Sequence, residues 1–220
     1  MKSKKIIRVA VDSPSAAGAG TISKKIAKHY NLIYCDTGKI YRLLAHELLK
    51  RKKIKNKIKF LKIISKKINL KKLSNRNLLN DEVAYTASKI AKDLRVRKLV
   101  LRFQKNLAYN PPKKFNGSIL DGRDITSIVV PDAHIKIYIT AKIDIRARRR
   151  FKELKKLGKK VKFDQILKSM KQRDKEDRTR RHSKLKKTRD SYLLNTSNLS
   201  IKSSFLKVKK MMDRKLKKIC

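Results

Sequence analysis

The chain is poor in the residue types that build disulfide frameworks, metal clusters and membrane spans. It has two cysteines among 220 residues, Cys35 and Cys220, which predict neither a disulfide framework nor a metal cluster. No run of about 18 apolar residues occurs, so no transmembrane helix is predicted. The short apolar stretch near the start is interrupted by Asp12 and is not a secretory signal. These absences favour a protein of a reducing cytoplasm.

Acidic residues are also scarce, and two explanations of the resulting charge stay open. There are 17 Asp and Glu against 63 Lys and Arg, for a formal net charge of +46. An A/T-rich genome would produce this positive charge, because Lys, Ile and Asn have A/T-rich codons. The low counts of 6 glycines and 4 prolines fit the same bias. Alternatively, the charge is selected for binding a polyanion. Disorder of the whole chain is disfavoured, since 40% of residues are hydrophobic and recur periodically.

The order of apolar segments predicts one α/β domain. Short β-branched or apolar runs predict strands at residues 6–11, 31–35, 117–120, 135–139 and 192–195. Helical periodicity predicts helices at residues 22–30, 39–50, 60–68, 81–109 with a break near Leu94, 143–156, 163–175 and 201–219. Residues 68–73 alternate weakly and predict an edge strand or small hairpin. Strands that alternate with helices imply a parallel sheet.

A loop of small residues lies between the first predicted strand and its helix. Such a loop can cradle phosphate, because glycines permit close approach and successive N–H groups point at the anion. Gly18, Gly20 and Thr21 stand where a G-x-x-x-x-G-K-[ST] loop places its last turn. Ser13 occupies the first glycine position, and Ala19 occupies the lysine position. By itself the loop stays open to a second interpretation, a turn that only packs.

Two further polar clusters follow predicted strands. Asp36 and Thr37 can cap the next helix and turn its N–H groups toward an anion, with Tyr41 and Arg42 a turn later. Residues 121–124, DGRD, offer an arginine that can fork a phosphate and a carboxylate that can accept from an amino group. The alternatives are a capped helix with a surface arginine and an Asp-Gly turn with an ion pair.

A fourth cluster, residues 173–181, alternates arginines with carboxylates. It predicts a mobile clamp that ion pairs hold open until a polyphosphate arrives, and the alternative is a solvated, charged helix end. The histidines have no metal-ligand spacing and are interpreted as surface or packing residues; they are His29, His46, His134 and His182.

Taken in order, these clusters resemble the bacterial cytidylate kinases, which are nucleoside monophosphate kinases of the P-loop type. The shared motifs are D-T-G-x-x-Y-R, D-G-R-D-x-x-x-x-V-x-P-D-A and R-D-x-x-D-R-x-R, at residues 36–42, 121–133 and 173–180. The resemblance implies a three-layer α/β P-loop fold with a parallel five-stranded sheet. It divides the single domain of residues 1–220 into a core (1–50, 91–150 and 186–220), an NMP-binding insert of about 51–90 and an Arg-rich lid of about 150–185.

The resemblance also implies a reaction and a role for each matched residue. ATP would phosphorylate CMP or dCMP, with Mg²⁺ as the cofactor. Thr37, Tyr41, Arg42 and Arg123 would hold the acceptor phosphate. Ser88, Arg97 and Asp124 would read the cytosine edge, and Asp177 would bind the sugar. Arg123, Arg173 and Arg180 would be the catalytic arginines, and Thr21 would lie near the metal. The donor phosphates would lie on Ser13, Pro14, Ser15, Ala16, Ala17, Gly18, Ala19, Gly20 and Thr21.

Ala19 is the main departure from the family pattern, because it removes the lysine that reaches the donor phosphates. Two rival functions follow: a degenerate, non-catalytic nucleotide-binding relative, and a basic RNA-binding protein on the same fold. For the kinase, the lid arginines Arg173, Arg178, Arg180 and Arg181 are the expected source of the missing charge. The expected partners are ATP and CMP or dCMP, with no membrane, only non-specific electrostatic binding of nucleic acid, and a monomeric state.

Overall fold

A five-stranded parallel sheet forms the centre of the protein. The computed structural model describes residues 6–51 and 53–217. The strands are β1 (Ile7–Asp12), β2 (Leu32–Asp36), β3 (Gly117–Gly122), β4 (Ile135–Thr140) and β5 (Tyr192–Asn195). They lie in the order β2-β3-β1-β4-β5, and all four pairings are parallel. The predicted α/β fold with a five-stranded parallel sheet is therefore confirmed.

Helices cover both faces of the sheet, which is why the strands are nearly continuous apolar runs. On one face, α1 (Ala19–Tyr30) and α9 (Ile201–Leu216) pack on the strands through buried Ile22, Ile26 and Val208. On the other face lie α2 (Gly38–Leu49) and α6 (Leu94–Tyr109). The result is three layers. No helix in the described ranges is long and apolar enough to span a bilayer.

The segment between α2 and α6 is helical, which corrects one prediction. It contains α3 (Lys57–Lys66), α4 (Leu70–Leu73), a 3₁₀ turn (Arg76–Leu79) and α5 (Asp81–Ile90). The strand or hairpin predicted at residues 68–73 was wrong. The Asn69 side chain accepts a hydrogen bond from the Lys72 N–H at 3.0 Å and so starts a helical turn, while Leu73 is buried. The predicted break near Leu94 is confirmed between α5 and α6.

Two further helices form a hairpin beside the sheet. They are α7 (Ile143–Lys156) and α8 (Phe163–Thr179), joined around Gly158, whose φ of 72° lies in the left-handed region. The hairpin has its own small core of Ala147, Leu154, Ile166 and Met170. This core is separate from the two cores on the faces of the sheet.

The carboxyl ends of β1, β2 and β3 meet at one edge of the sheet. In register, Asp12 of β1 stands opposite Gly122 of β3, and Asp36 of β2 stands opposite Asp121. The loops that follow these strands are the ones that carry the polar clusters of the sequence. In open α/β sheets this edge is where ligands bind.

Candidate functional site

One cleft at this edge contains every residue that was predicted for ATP binding, CMP binding or catalysis. Arg178 and Arg181, which were expected to contribute charge with the other lid arginines, are not among the described residues that line it. The predicted residues that do line it are Ser13, Pro14, Ser15, Ala16, Ala17, Gly18, Ala19, Gly20, Thr21, Thr37, Tyr41, Arg42, Ser88, Arg97, Arg123, Asp124, Arg173, Asp177 and Arg180.

The loop between β1 and α1 has the backbone of an anion-binding turn. Ala16 and Gly18 have left-handed φ angles of 59° and 91°, which bend the chain back before α1 begins at Ala19. No side chain caps the amino end of α1, so its first N–H groups remain available. A left-handed alanine is strained, and such strain together with free N–H groups suits a phosphate-binding loop.

Residues from distant elements hold the back of this loop. Arg146 of α7 donates to the Ser15 carbonyl at 3.2 Å and also pairs with Asp174 of α8. The Thr196 hydroxyl donates to the Ala17 carbonyl at 2.9 Å, and Arg149 donates to the Thr196 carbonyl at 2.7 Å. The sequence carries no pattern that indicates these supports, because their partner atoms on the loop are backbone carbonyls.

An acidic pair lies beside the first turn of α1. Asp36 and Asp121 line the cleft, and Asp121 accepts a hydrogen bond from the Tyr34 hydroxyl at 2.9 Å. Burial, and then repulsion from Asp36, raises the pKa of Asp121 well above its usual range. A Cβ at Gly20 would lie 3.7 Å from the Asp121 carboxylate, so α1 approaches the pair closely. The pair was not predicted, although both residues end strands.

A third aspartate, Asp12, fixes the loop that carries Arg123 and Asp124. Its carboxylate accepts from the Ile125 N–H at 2.8 Å, the Thr126 N–H at 2.8 Å and the Thr126 hydroxyl at 2.6 Å. Burial raises the pKa of Asp12 to about 6. Asp12 is completely buried, so it positions the loop without facing the cleft. It was not predicted as a site residue.

A buried ion pair closes one side of the cleft. Arg97 donates to Asp124 at 2.6 Å and to the Ala91 carbonyl at 3.0 Å, and it lies 5.4 Å from the ring centre of Tyr41. Both paired side chains are less than a tenth exposed. Ser88 reaches the cleft from α5, with its hydroxyl bonded to the Tyr85 carbonyl at 2.7 Å. This side of the cleft is polar and rigid.

Arginines from the loop after β3 and from α8 and its carboxyl end converge on Asp177. Arg123 donates to Asp177 at 2.9 Å, and Arg180 does so at 3.3 Å. Although burial opposes the change, Arg123, Arg173 and Arg180 lower the pKa of Asp177. Burial, and then repulsion from Arg123, lowers the pKa of Arg173 to about 10. This concentration of fixed positive charge fits a polyanionic ligand.

Two predicted phosphate contacts are partly used within the protein. The Thr37 hydroxyl donates to the Asp121 carbonyl at 2.7 Å and fastens the end of β2 to β3. Arg42 donates to the Leu78 carbonyl at 2.8 Å. Both still line the cleft. Of the two, Arg42 keeps further N–H groups for a ligand, since a guanidinium has five.

The sequence is similar to that of curated enzymes over nearly its whole length. A profile of the family described as cytidylate kinase matches residues 9–214. A cytidylate kinase of Bartonella henselae is 43% identical over 197 residues, 90% of each chain. The cytidylate kinase of Bartonella bacilliformis is 42% identical over 210 residues, 95% of each chain. That of Agrobacterium fabrum is 38% identical over 96% of this chain and 98% of its own.

Solved structures with low sequence identity share the fold. A shikimate kinase from Bacteroides thetaiotaomicron superposes with a TM-score of 0.51 at 12% identity, covering 95% of this chain and 99% of its own. An uncharacterized protein from Eubacterium ventriosum gives a TM-score of 0.55 at 16% identity, with the same coverage. At such identities these likenesses concern the fold alone, which is that of P-loop kinases.

Proposed function

The chain belongs to the cytidylate kinase family, and from this premise we propose that the cleft is where the terminal phosphoryl group of ATP passes to CMP or dCMP. The protein is an ATP-dependent nucleoside monophosphate phosphotransferase. The observation that carries the assignment of the site is the convergence of the residues predicted for ATP binding, CMP binding and catalysis, from six separate segments, on one cleft.

We assign the donor side to the loop of residues 13–21. Its left-handed turn and the open amino end of α1 suit the phosphates of ATP. Arg146 and Thr196 hold the loop carbonyls from behind, so the N–H groups keep their direction toward the cleft. Such preorganised donors act without reorganisation when charge develops on the phosphoryl oxygens.

We assign the acceptor side to the walls formed by α2, α5, α6 and the loop after β3. Arg42 and Arg123 would hold the phosphate of CMP, together with Thr37 and Tyr41. Ser88, Arg97 and Asp124 would read the cytosine edge, and Asp177 would bind the sugar. One Asp124 oxygen is held by Arg97, and we propose that the other accepts from the cytosine amino group.

Magnesium fits the acidic pair. Mg²⁺ is usually held by one or two carboxylates together with substrate phosphates, and Asp36 and Asp121 supply two carboxylates in the cleft beside the first turn of α1. We propose that these carboxylates and Thr21 hold the ion. When bound, the ion neutralises charge on the phosphates.

The chemistry is an in-line displacement. An oxygen of the CMP phosphate forms a bond to the γ-phosphorus as the bond from that phosphorus to the β–γ bridging oxygen breaks, leaving its electron pair on ADP. The protein contributes positioning and fixed positive charge. We propose that residues 150–185 form a lid whose Arg173 and Arg180 cover the transferring group and exclude water. Residues 51–90 form the proposed NMP-binding insert, and the remainder is the core.

A coupled assay of ADP release tests this proposal. With Mg²⁺ and ATP, we expect turnover with CMP and dCMP, and weaker turnover with UMP and AMP. A folded sample that releases no ADP with any of the four acceptors would contradict the proposal. We further propose that the protein works as a monomer in the cytoplasm, which light scattering and fractionation would test.

A further inference from the structure

The donor loop lacks the cation that a phosphate-binding loop of this kind normally contains. In the pattern G-x-x-x-x-G-K-[ST], the lysine reaches the β- and γ-phosphates. Here that position is Ala19, the first residue of α1, and its side chain ends at a methyl group. Phosphoryl transfer depends on fixed positive charge at the donor oxygens, so another side chain has to supply it.

Most of the cations that line the cleft are already held by protein groups. Six of them pair with a carboxylate, donate to a carbonyl, or do both: Arg42, Lys92, Arg97, Arg123, Arg150 and Arg180. Among the lining residues of the described chain, Lys39 and Arg173 are the two cations with no hydrogen bond or ion pair. Each therefore has charge available for a ligand.

Lys39 and Arg173 lie on different sides of the cleft. Arg173 comes from α8 and is grouped with Arg123, Arg42 and Arg150, all on the acceptor and lid side. Lys39 is the second residue of α2 and follows directly on the end of β2 at Asp36.

The first turn of α1 approaches side chains at this edge of the sheet. A Cβ at Gly20 would lie 3.3 Å from the hydroxyl of Tyr34 on β2 and 3.7 Å from the carboxylate of Asp121, which stands opposite Asp36. Lys39 therefore begins next to a strand end that the donor helix approaches, and it lines the same cleft as Gly18, Gly20 and Thr21. Its side chain is half-buried, and its flexible four-carbon stem carries a compact charge suited to phosphate.

We propose that Lys39 replaces the missing loop lysine, with its ammonium group on the β- and γ-phosphate oxygens of ATP during transfer. The inference rests on the proposed function, because it presumes ATP on the donor loop. It shifts the compensating charge from the lid, where the sequence analysis expected it, to the wall formed by α2. Lys39 stabilises the charge on the oxygens and takes part in no bond change.

The test combines a loss with a rescue. Lys39→Met keeps the apolar stem and removes the charge, and we expect kcat to fall about 100-fold or more, with the KM for CMP changed little. Ala19→Lys in the Lys39→Met background should recover about 10-fold or more. Lys25→Met, an exposed lysine on α1, is the matched control and should keep wild-type turnover.

If the wild type is active, the proposed function stands, and any of three results would overturn the inference alone. The first is a kcat of Lys39→Met within about threefold of wild type. The second is a failure of Ala19→Lys to restore activity to Lys39→Met, and the third is that Ala19→Lys restores activity to Arg173→Met instead. If the wild type itself is inactive with every acceptor, the proposed function fails, and the inference is then judged on MgATP affinity measured by calorimetry. Weaker binding by Lys39→Met that Ala19→Lys restores would support it, and unchanged binding would refute it.

Discussion

Arg123 offers the sharpest test of the acceptor site, because the structure shows which parts of its guanidinium are already used. Its Nε donates to Asp177 at 2.9 Å, and its Nη1 donates to the Gly122 carbonyl at 3.1 Å. Nη2 has no hydrogen-bond partner among the described residues. The side chain is 23% exposed, so the protein fixes the fork while leaving part of it open to the cleft.

The expected loss in Arg123→Ala follows from this geometry. A hydrogen bond to a charged group contributes about 1.5–3 kcal/mol, and a fork can offer two such bonds to the acceptor phosphate. We therefore expect kcat/KM for CMP to fall at least about 100-fold, which corresponds to about 2.7 kcal/mol. Arg123→Lys keeps the charge but loses the forked guanidinium, so its kcat/KM for CMP should lie between the values of Arg123→Ala and the wild type.

Arg8→Ala is the matched control. The Arg8 side chain is 20% exposed and pairs with Asp132 at 3.2 Å, but Arg8 is the second residue of β1, at the end of the strand away from the cleft. Steady-state kinetics with varied CMP, together with urea unfolding, would compare the two variants. Both should lose on the order of 1 kcal/mol of stability, and only Arg123→Ala should lose activity. Turnover of Arg123→Ala within about threefold of wild type would show that Arg123 only stabilises a turn.

The remaining predictions concern specificity, pH and the support of the loop. CMP should be preferred to UMP by at least about 10-fold in kcat/KM. Asp124→Asn should narrow or reverse this preference, because the asparagine amide can still accept from Arg97 while it donates to the uracil carbonyl. An unchanged preference in this variant would contradict the assignment of Asp124. Burial raises the pKa of Asp12 from 3.8 to about 6, so the folded state holds this proton more tightly than the unfolded state. Stability should therefore fall as pH rises from about 4 to about 6, by up to about 3 kcal/mol, and urea unfolding of Asp12→Asn across this interval should lack that contribution. Arg146→Ala leaves Asp174 and a loop carbonyl unpaired, and calorimetry or urea unfolding should show a loss of about 3–5 kcal/mol; a loss near zero would show that the pair is not structural.

The sequence by itself determined the sheet, most of the helices and the membership of the cleft. Continuous β-branched runs such as residues 6–11 require burial on both faces, and helical periodicity between the runs requires parallel connections. Polar clusters directly after strands then have to meet at one edge, because parallel strands end together. The one element it assigned wrongly, residues 68–73, has a weak alternation that a capping asparagine outweighs.

Only the tertiary structure decided how the cleft is held and charged. The roles of Asp12, Arg146 and Thr196 depend on hydrogen bonds to backbone atoms of distant segments, and a backbone partner leaves no pattern in the sequence. The difference between Lys39 and the other cations was also decided by folding. Most of the basic side chains that line the cleft are paired with carboxylates from other elements or donate to carbonyls, and which cation keeps its charge available for a ligand depends on that packing.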